Sequence, residues 1–288
     1  MRRANRPTRP LDVARVLAAR RRHGLVAVWD LDGTLAPIAP TPAEARVPPA
    51  TRQALRRLAR RPDTLVGVVS GRPLAQVEQL VGRASLWLAG LHGGARRMPG
   101  GHVRHLWGPT AARRGARLAH GLAETLAGVP GVRIEPKGPV VAVHVRGADA
   151  AGRARARVLV GRARPPGWVV LEGRRVLELR PRLLPNKGDA VRWIASRRPG
   201  AVVLYVGDDA TDEDAFAALG PGDFAVRVES RRARVERGGR GARTHARWKV
   251  AGHAGVVRLI ERLCRDAAAT PARRPAPERA LSARRLSV

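Results

Sequence analysis

The stretch that decides the fold is Asp30-Leu31-Asp32-Gly33-Thr34-Leu35, which follows the apolar run Leu25-Val26-Ala27-Val28-Trp29. The apolar run is too short to span a membrane and has no polar helical face, so it predicts a strand buried on both sides of a parallel sheet. Two carboxylates end that strand, and Gly33 allows a sharp turn. Ligands of open α/β sheets bind at such strand ends. The pair predicts either a site for a hard cation and a nucleophile, or a surface Asx turn.

Two further apolar runs end in polar residues in the same way. Residues 64–69 are followed by Ser70-Gly71-Arg72-Pro73, and residues 201–206 by Gly207-Asp208-Asp209. Helical segments separate the apolar runs, and this alternation predicts right-handed crossovers and a parallel sheet. The carboxyl ends of these strands should therefore meet at one edge of the sheet.

Two helix starts belong to the same edge. Asn186 is a predicted cap for a helix that opens with Lys187, and Thr211 with Asp214 predicts a capping box further along. Carboxylates beside a serine, a lysine and a helix N-terminus are the groups that phosphoryl transfer requires. A GxxxxGK[ST] stretch is absent from the sequence, which argues against a nucleotide site of the P-loop type.

Residues 109–184 follow a different pattern, with two helices and four shorter strands. Val141, Val143 and Val145 share one face of a strand, with His144 and Arg146 on the other, which is typical of a sheet with one buried and one open face. Glu135 with Lys137, and Glu178 with Arg180, are each two residues apart and so project from the same side of their strand. These charged pairs predict either ligand contacts or a solvated face with cross-strand ion pairs.

The predicted fold class is α/β, with a Rossmann-like parallel-sheet core and an inserted, smaller α+β cap domain. The core comprises residues 11–108 and 185–265, and the cap comprises residues 109–184. Residues 1–10 and the basic tail 266–288 are predicted to be disordered, because they are rich in Arg and Pro and lack hydrophobic periodicity. An Arg- and Gly-rich segment, residues 231–243, is predicted to be a loop.

The net charge of +32 suggests a polyanionic partner, but its pattern argues against one. Only Lys137, Lys187 and Lys249 are lysines, and the remaining basic residues are scattered arginines without the aromatic partners that single-strand binders use. With abundant Ala, Gly and Pro, this resembles the codon bias of a GC-rich genome. We expect no specific nucleic-acid partner.

Location is predicted from what the sequence lacks. The single Cys264 excludes an internal disulfide and fits a reducing compartment. The basic N-terminus has no continuous apolar core of the kind a secretory signal needs, and no run approaches ~20 apolar residues. We expect a cytoplasmic monomer without a membrane partner.

Four motifs occur in this order along the chain: Asp30-Leu31-Asp32-Gly33-Thr34, Ser70, Lys187 and Gly207-Asp208-Asp209. They resemble the motifs of the haloacid dehalogenase-like phosphatase superfamily. The resemblance implies Mg²⁺-dependent catalysis with Asp30 as nucleophile and Asp32 as general acid and base. It further implies that Asp30, Asp208 and the backbone carbonyl of Asp32 hold the metal. Asp209 and Asp212 would contact the metal ligands without binding the metal themselves. Ser70 and Lys187 would bind the phosphoryl group.

The resemblance extends to the trehalose-6-phosphate phosphatases over residues 24–264. It rests on these further segments: Ser70-Gly71-Arg72-Pro73, Leu88-Ala89-Gly90-Leu91-His92-Gly93, Glu135-Pro136-Lys137-Gly138, His144-Val145-Arg146, Glu172-Gly173, Glu178-Leu179-Arg180-Pro181, Lys187-Gly188 and Gly207-Asp208-Asp209-Ala210-Thr211-Asp212-Glu213. By this resemblance the cap residues Glu135, Lys137 and Glu178 contact the glucose unit remote from the phosphate. Gly71, Arg72 and His92 are further candidates for substrate binding, although His92 could equally cap a turn. Ala95 stands where the family usually has glutamate.

The predicted function is therefore hydrolysis of trehalose 6-phosphate to trehalose and phosphate through an aspartyl-phosphate, the last step of trehalose biosynthesis. The resemblance also suggests an association with a trehalose-6-phosphate synthase. A related phosphatase for another sugar phosphate is the nearest alternative. A basic nucleic-acid-binding protein on an inactive phosphatase scaffold is the alternative from a different class, and the intact Asp30, Asp32, Lys187 and Asp208 argue against it.

Overall fold

Strands and helices alternate along the part of the chain that the computed structural model describes, residues 8–83, 85–173, 175–229 and 244–265. The strands are β1 (Arg9–Pro10), β2 (Leu25–Asp30), β3 (Thr64–Val69), β4 (Trp87–Gly90), β5 (Ala95–Arg97), β6 (Arg104–His105), β7 (Arg133–Lys137), β8 (Val140–His144), β9 (Trp168–Gly173), β10 (Val176–Pro181), β11 (Val202–Gly207), β12 (Phe224–Glu229) and β13 (Trp248–Ala251). The α-helices are α1 (Val13–His23), α2 (Pro49–Ala59), α3 (Leu74–Val81), α4 (Pro109–Thr125), α5 (Ala150–Ala163), α6 (Lys187–Ala195), α7 (Glu213–Ala218) and α8 (Gly252–Arg265). Short 3₁₀ turns occur at Pro42–Glu44, Leu91–Gly93 and Ala210–Asp212.

The strand that precedes Asp32 lies at the centre of a nine-stranded sheet, in the order β1-β13-β12-β11-β2-β3-β4-β5-β6. β2 pairs in parallel with β11 on one side and with β3 on the other. β5 and β6 are antiparallel additions at one edge. From β2 the chain runs outward through β3 and β4, and it returns on the opposite side at β11. The strand order therefore reverses beside β2, where ligands of open α/β sheets bind.

Both faces of this sheet are covered, as the continuous apolar character of β2 predicts. All six residues of β2 are buried. On one face the core includes side chains of α2 and α8, such as Leu55 and Leu259, and on the other it includes Ile194 of α6 and Phe216 of α7. A strand between two helical layers has no polar face, and this explains the unbroken apolar run.

Residues of the inserted segment form a second, four-stranded sheet in the order β7-β8-β10-β9, with antiparallel pairing throughout. One face packs against α4 and α5, and its core includes Val141, Val143, Leu177 and Leu179. Because side chains alternate along a strand, Glu135 and Glu178 project from the other face. Glu135 is paired with Ala142, and Ala142 with Glu178, so a small side chain separates the two glutamates.

The predicted α/β core with an inserted α+β domain is confirmed, and one local expectation is wrong. Arg9 and Pro10 form β1, which pairs in parallel with β13, although residues 1–10 were expected to be disordered. β1 is the edge strand of the sheet, and without it the outer side of β13 would be unpaired. The Leu11 N–H donates to the Lys249 carbonyl at 3.0 Å, and this partner is not visible from the sequence of β1. The predicted domain boundaries, 11–108 with 185–265 and 109–184, stay a prediction.

Two sequence-based expectations fall where the structure gives no description. The predicted loop 231–243 and the predicted tail 266–288 lie outside the described residues, as do residues 1–7. Among the described helices, none combines the length and the apolar character needed to cross a bilayer.

Candidate active site

One pocket lies between the carboxyl edge of the large sheet and the open face of the small one. The predicted catalytic residues Asp30, Asp32, Ser70 and Lys187 line it, together with Asp208 and Asp209. So do all the predicted substrate-binding residues, which are Gly71, Arg72, His92, Glu135, Lys137 and Glu178. Asp212 is the predicted site residue that does not line the pocket; it is fully buried behind Lys187.

Lys187 is the centre of a buried polar cluster at the floor of the pocket. Its Nζ donates to Asp30 Oδ1 at 2.6 Å and to Asp212 Oδ1 at 2.7 Å. Tyr205 also donates its hydroxyl to Asp212 Oδ1, at 2.6 Å. Lys187 reaches this position because it is the first residue of α6, whose N-terminus is fixed by a capping box between Asn186 and Asp189.

The cluster contains more negative than positive charge. Burial raises the pKa of Asp30 well above its ordinary value; Lys187 opposes this shift and Asp212 adds to it. Burial, Asp30 and Asp212 raise the pKa of Asp208 in the same direction. Burial alone would lower the pKa of Lys187, but Asp212 and Asp30 outweigh that effect and raise it. A further cation would relieve the repulsion among the carboxylates.

The arrangement of carboxylate oxygens fits a divalent cation. Asp30, Asp208 and Asp212 each offer an oxygen, and the three oxygens lie within 4.8 Å of one another. Asp208 Oδ1 is buried without a hydrogen-bond partner among the described residues. Asp212 is less suited as a ligand, because Oδ1 accepts from Lys187 and Tyr205 and Oδ2 accepts from the backbone N–H of Asp209. Asp30 and Asp208 are thus the carboxylates with capacity for a hard cation.

Gly33 makes the approach of Asp208 possible. Its φ is +87°, and a Cβ at this position would lie 2.2 Å from Asp208 Oδ2. A side chain is excluded both by the left-handed backbone and by the carboxylate. Gly33, in the loop after β2, is therefore needed for the packing of Asp208, which follows β11.

The side chain of Asp32 pairs with Arg72 rather than with Lys187. Arg72 donates from Nε to Asp32 Oδ2 and from Nη2 to Asp32 Oδ1, both at 2.7 Å. Arg72 therefore pairs with the predicted general acid within the pocket, and its predicted contact with substrate stays a prediction. The metal role predicted for Asp32 involves its backbone carbonyl and stays a prediction.

Ser70 and His92 are joined through the backbone. The Ser70 carbonyl accepts from the His92 N–H at 2.9 Å, and Ser70 Oγ accepts from the Arg72 N–H at 3.2 Å. His92 has a φ of +57°, which is unusual for a residue with a side chain and indicates a position held by its surroundings. Gly71 leaves room for the ring, because a Cβ there would lie 2.8 Å from the His92 ring.

The pocket face of the small sheet carries its own ion pairs. Glu178 accepts from Lys137 Nζ at 2.7 Å, and its Oε2 lies 2.6 Å from His92 Nε2. Burial alone would raise the pKa of Glu178, but Lys137 and His92 outweigh it and hold that pKa well below its ordinary range. His144 Nε2 lies 2.7 Å from Glu135 Oε2. The pair between His92 and Glu178 links the two sheets across the pocket.

Asp209 and Asp212 form the capping box of this region, in place of the predicted Thr211 and Asp214. Asp209 caps Ala210, and the two aspartates exchange side-chain-to-backbone bonds. The predicted box is wrong because a short 3₁₀ turn at Ala210–Asp212 precedes α7, and its N-cap is Asp209. Asp212 thereby gains the orientation that it needs to meet Lys187.

Sequence reasoning missed Tyr205. Its hydroxyl lies in the buried cluster, although it occurs within an apolar strand and was interpreted as part of the core. A buried tyrosine hydroxyl requires a hydrogen-bond partner, and its position two residues before Gly207 was the available signal.

A family model described as trehalose-phosphatase matches residues 28–250. The trehalose-phosphate phosphatase of Mycobacterium marinum is 38% identical over 208 residues, which cover 69% of this chain and 53% of that protein. That of Mycobacterium tuberculosis is 35% identical over 263 residues, which cover 87% of this chain and 65% of that protein. The chain thus spans between half and two thirds of the length of these curated relatives.

Solved structures with the same architecture were also found. The Candida albicans trehalose-6-phosphate phosphatase C-terminal domain aligns with a TM-score of 0.75 at 21% identity, covering 90% of this chain and 99% of that one. Aspergillus fumigatus trehalose-6-phosphate phosphatase aligns with a TM-score of 0.62 at 27% identity, again covering 90% and 99%. A haloacid dehalogenase-like hydrolase from Bacteroides thetaiotaomicron, at 15% identity and a TM-score of 0.58, shares the fold.

Proposed function

Because the chain belongs to the trehalose-phosphatase family, we propose that it hydrolyses trehalose 6-phosphate to trehalose and phosphate. The observation that carries the proposal is the pocket itself, which places the Asp30–Lys187 pair opposite the charged face of the small sheet. A phosphate at the floor and a sugar against Glu135, Lys137 and Glu178 would occupy the two sides of one cavity.

The chemistry proposed for the first half-reaction uses Asp30 and Asp32. A carboxylate oxygen of Asp30 forms a bond to phosphorus while the bond from phosphorus to the sugar oxygen breaks. The leaving oxygen takes a proton from Asp32 and departs as the trehalose hydroxyl. Lys187 and Ser70 hold the phosphoryl group, and burial of Asp30 keeps bulk water from the carboxylate before substrate arrives.

In the second half-reaction a water molecule replaces the sugar. Asp32 takes a proton from the water as its oxygen attacks phosphorus, and the bond from phosphorus to Asp30 breaks. Phosphate leaves, Asp30 returns as a carboxylate and Asp32 is again protonated. A divalent cation, proposed to be Mg²⁺ on Asp30 and Asp208, would neutralise the charge between phosphate and carboxylates.

Substrate identity is tested by a variant of Glu135, which lies away from the reacting phosphate, assayed on a large and a small substrate. Glu135→Ala should lower kcat/KM for trehalose 6-phosphate by roughly 10- to 100-fold, because hydrogen bonds to a charged acceptor contribute about 1.5–3 kcal/mol. Part of the loss should fall on kcat, since remote binding energy also orients the phosphate. Hydrolysis of 4-nitrophenyl phosphate should be unchanged, because that molecule is too small to reach Glu135.

The control is Glu124→Ala on α4, where the glutamate side chain is 72% exposed and pairs with the exposed His120 at 3.3 Å. It should leave both substrates unaffected. Equal losses for both substrates in Glu135→Ala would contradict the proposed sugar contact. If the unchanged protein hydrolysed glucose 6-phosphate or sucrose 6-phosphate faster than trehalose 6-phosphate, a phosphatase for another sugar phosphate would be favoured. The association with a trehalose-6-phosphate synthase stays a prediction.

A further inference from the structure

From the contact between Arg72 and Asp32 we infer that Arg72 is a positioning residue for the general acid rather than a substrate ligand. This inference rests on the proposed function. Asp30 and Asp32 are only two residues apart, yet each has its own cation: Lys187 meets Asp30, and Arg72 meets Asp32. The two cations hold the neighbouring carboxylates in separate places, and this separation allows the residues different roles.

Arg72 and Asp32 are joined by two parallel hydrogen bonds, and we call this pair the fork. Nε and Nη2 of Arg72 each donate at 2.7 Å to a different oxygen of Asp32. Such a planar pair fixes the direction of a carboxylate as well as its distance, and a lysine ammonium cannot reproduce it. Asp32 therefore has a defined orientation in the pocket before any substrate enters.

Arg72 is the anchored member of the pair. Its carbonyl accepts from the Leu91 N–H at 2.9 Å, and its own N–H donates to Ser70 Oγ at 3.2 Å. Its side chain is 12% exposed, whereas that of Asp32 is 43% exposed. The main chain of Arg72 is thus held at Ser70 and Leu91, and its guanidinium also donates to Gln76 Oε1 at 3.5 Å, so Asp32 is the more exposed partner of a guanidinium held at both ends.

The fork also defines what must change when substrate binds. With both oxygens directed at Arg72, Asp32 must turn one oxygen toward the substrate before it can act on the leaving group. When it serves as the acid, one oxygen carries the proton toward the leaving sugar oxygen while the other keeps one contact with Arg72. Arg72 therefore keeps Asp32 oriented while one oxygen turns. When Arg72 is replaced, Asp32 should be misplaced, which should slow the chemical step without weakening substrate binding.

The test is a double-mutant cycle between Arg72 and Asp32. Arg72→Lys keeps the charge and removes the fork; it should lower kcat for trehalose 6-phosphate roughly 10- to 100-fold, with KM changed less than about threefold. In the Asp32→Asn background the same substitution should cause no further loss, because its effect passes through Asp32. Arg157→Lys, in an exposed ion pair with Glu172, is the matched control and should change nothing.

A good leaving group separates acid catalysis from the other steps. In rapid mixing with 4-nitrophenyl phosphate, the first burst of nitrophenolate should keep its rate in Arg72→Lys, since this leaving group needs no proton. The later steady state should slow, because Asp32 must still activate water. A merely structural role for Arg72 would slow both phases and lower the Tm.

Several outcomes would overturn the inference. They are a raised KM with unchanged kcat, losses that add in the double variant, or full activity in both Arg72→Lys and Arg72→Gln. If the unchanged protein hydrolyses 4-nitrophenyl phosphate but not trehalose 6-phosphate, the proposed substrate is wrong, and the cycle measured on the aryl ester still decides the role of Arg72. Hydrolysis of neither compound would overturn both proposals.

Discussion

At the scale of single residues, Gly33 connects two motifs that are far apart in the chain. Its absent side chain makes room for Asp208, which follows the neighbouring strand of the sheet. The sequence suggests only that Gly33 turns the chain. The structure adds that any Cβ would displace a carboxylate expected to hold the metal.

Gly33→Ala should therefore abolish most turnover as well as reduce stability by roughly 1–2 kcal/mol, the typical cost of a left-handed alanine. The measurements are phosphate release and the urea midpoint of unfolding. Gly100→Ala is the matched control, because Gly100 also has a positive φ, +69°, but a Cβ at that position would meet nothing within 4 Å. It should lose similar stability and no activity. Equal activity in the two variants would contradict the steric argument.

Asp30→Asn tests the nucleophile. An amide is a poor nucleophile, so the covalent route is lost, and the fall in turnover should exceed the roughly 10²–10⁴ expected from losing acid–base help alone. Phosphate release is measured beside circular dichroism, which should be unchanged because Lys187 keeps its bond to Asp212. Phosphate release at the unchanged rate would rule out Asp30 as the attacking group.

At the scale of the element, α6 is a means of placing Lys187. Asn186 Oδ1 accepts from the Asp189 N–H at 2.9 Å, and Asp189 Oδ2 accepts from the Asn186 N–H at 2.9 Å. This capping box fixes the first turn, and Lys187 is the first residue of that turn. Helix stability and ammonium position are thus coupled at one helix end.

Asn186→Ala should cost about 0.5–2 kcal/mol of stability, as loss of an N-cap does, and should also lower kcat because the first turn frays around Lys187. Asp149→Ala removes the N-cap of α5, where Asp149 accepts from the Gly152 N–H at 2.6 Å. This control should show a similar fall in Tm with unchanged kcat. If both variants kept full activity, the position of Lys187 would not depend on its cap.

At the scale of the whole molecule, Glu178 links the two sheets through His92, and its charge should make stability depend on pH. Its pKa is depressed in the folded protein, so the unfolded chain binds more protons than the native one at mildly acidic pH. The stabilisation is therefore fully present above the unfolded value of about 4.3 and is lost as pH falls below it toward the folded pKa.

The free energy of unfolding should decline between about pH 5 and pH 3 more steeply in the unchanged protein than in Glu178→Gln. Urea titrations at several pH values measure this slope. Glu124→Gln, whose glutamate is largely exposed, serves as the control and should retain the full slope. Parallel slopes in all three proteins would show that the Glu178 carboxylate is not preferentially stabilised in the folded state.

Metal dependence also belongs to the whole molecule, because the segments that end β2 and follow β11 supply the carboxylates together. Exhaustive chelation should abolish activity, and Mg²⁺ should restore it, since the clustered carboxylates otherwise repel phosphate. Mg²⁺ should also raise the Tm of the unchanged protein, by binding the native state, and should do so much less in Asp208→Asn. Full activity after chelation would contradict a metal role.

The sequence by itself determined the core of the fold. Unbroken apolar runs predict buried parallel strands, and their order along the chain leaves few arrangements other than the one observed around β2. It also placed Asp30, Ser70 and Asp208 at strand ends and Lys187 at a helix start, because local patterns decide where strands and helices stop.

Only the tertiary structure decided which of these groups meet. The pairing of Asp32 with Arg72, of Lys187 with Asp212, and of Glu178 with His92 depends on side chains separated by 25 to 86 residues in the chain. Tyr205 and β1 were missed for the same reason, since their partners lie on other elements. Periodicity reports the environment of a residue along its own element, whereas the partner of a polar side chain is set by packing between elements.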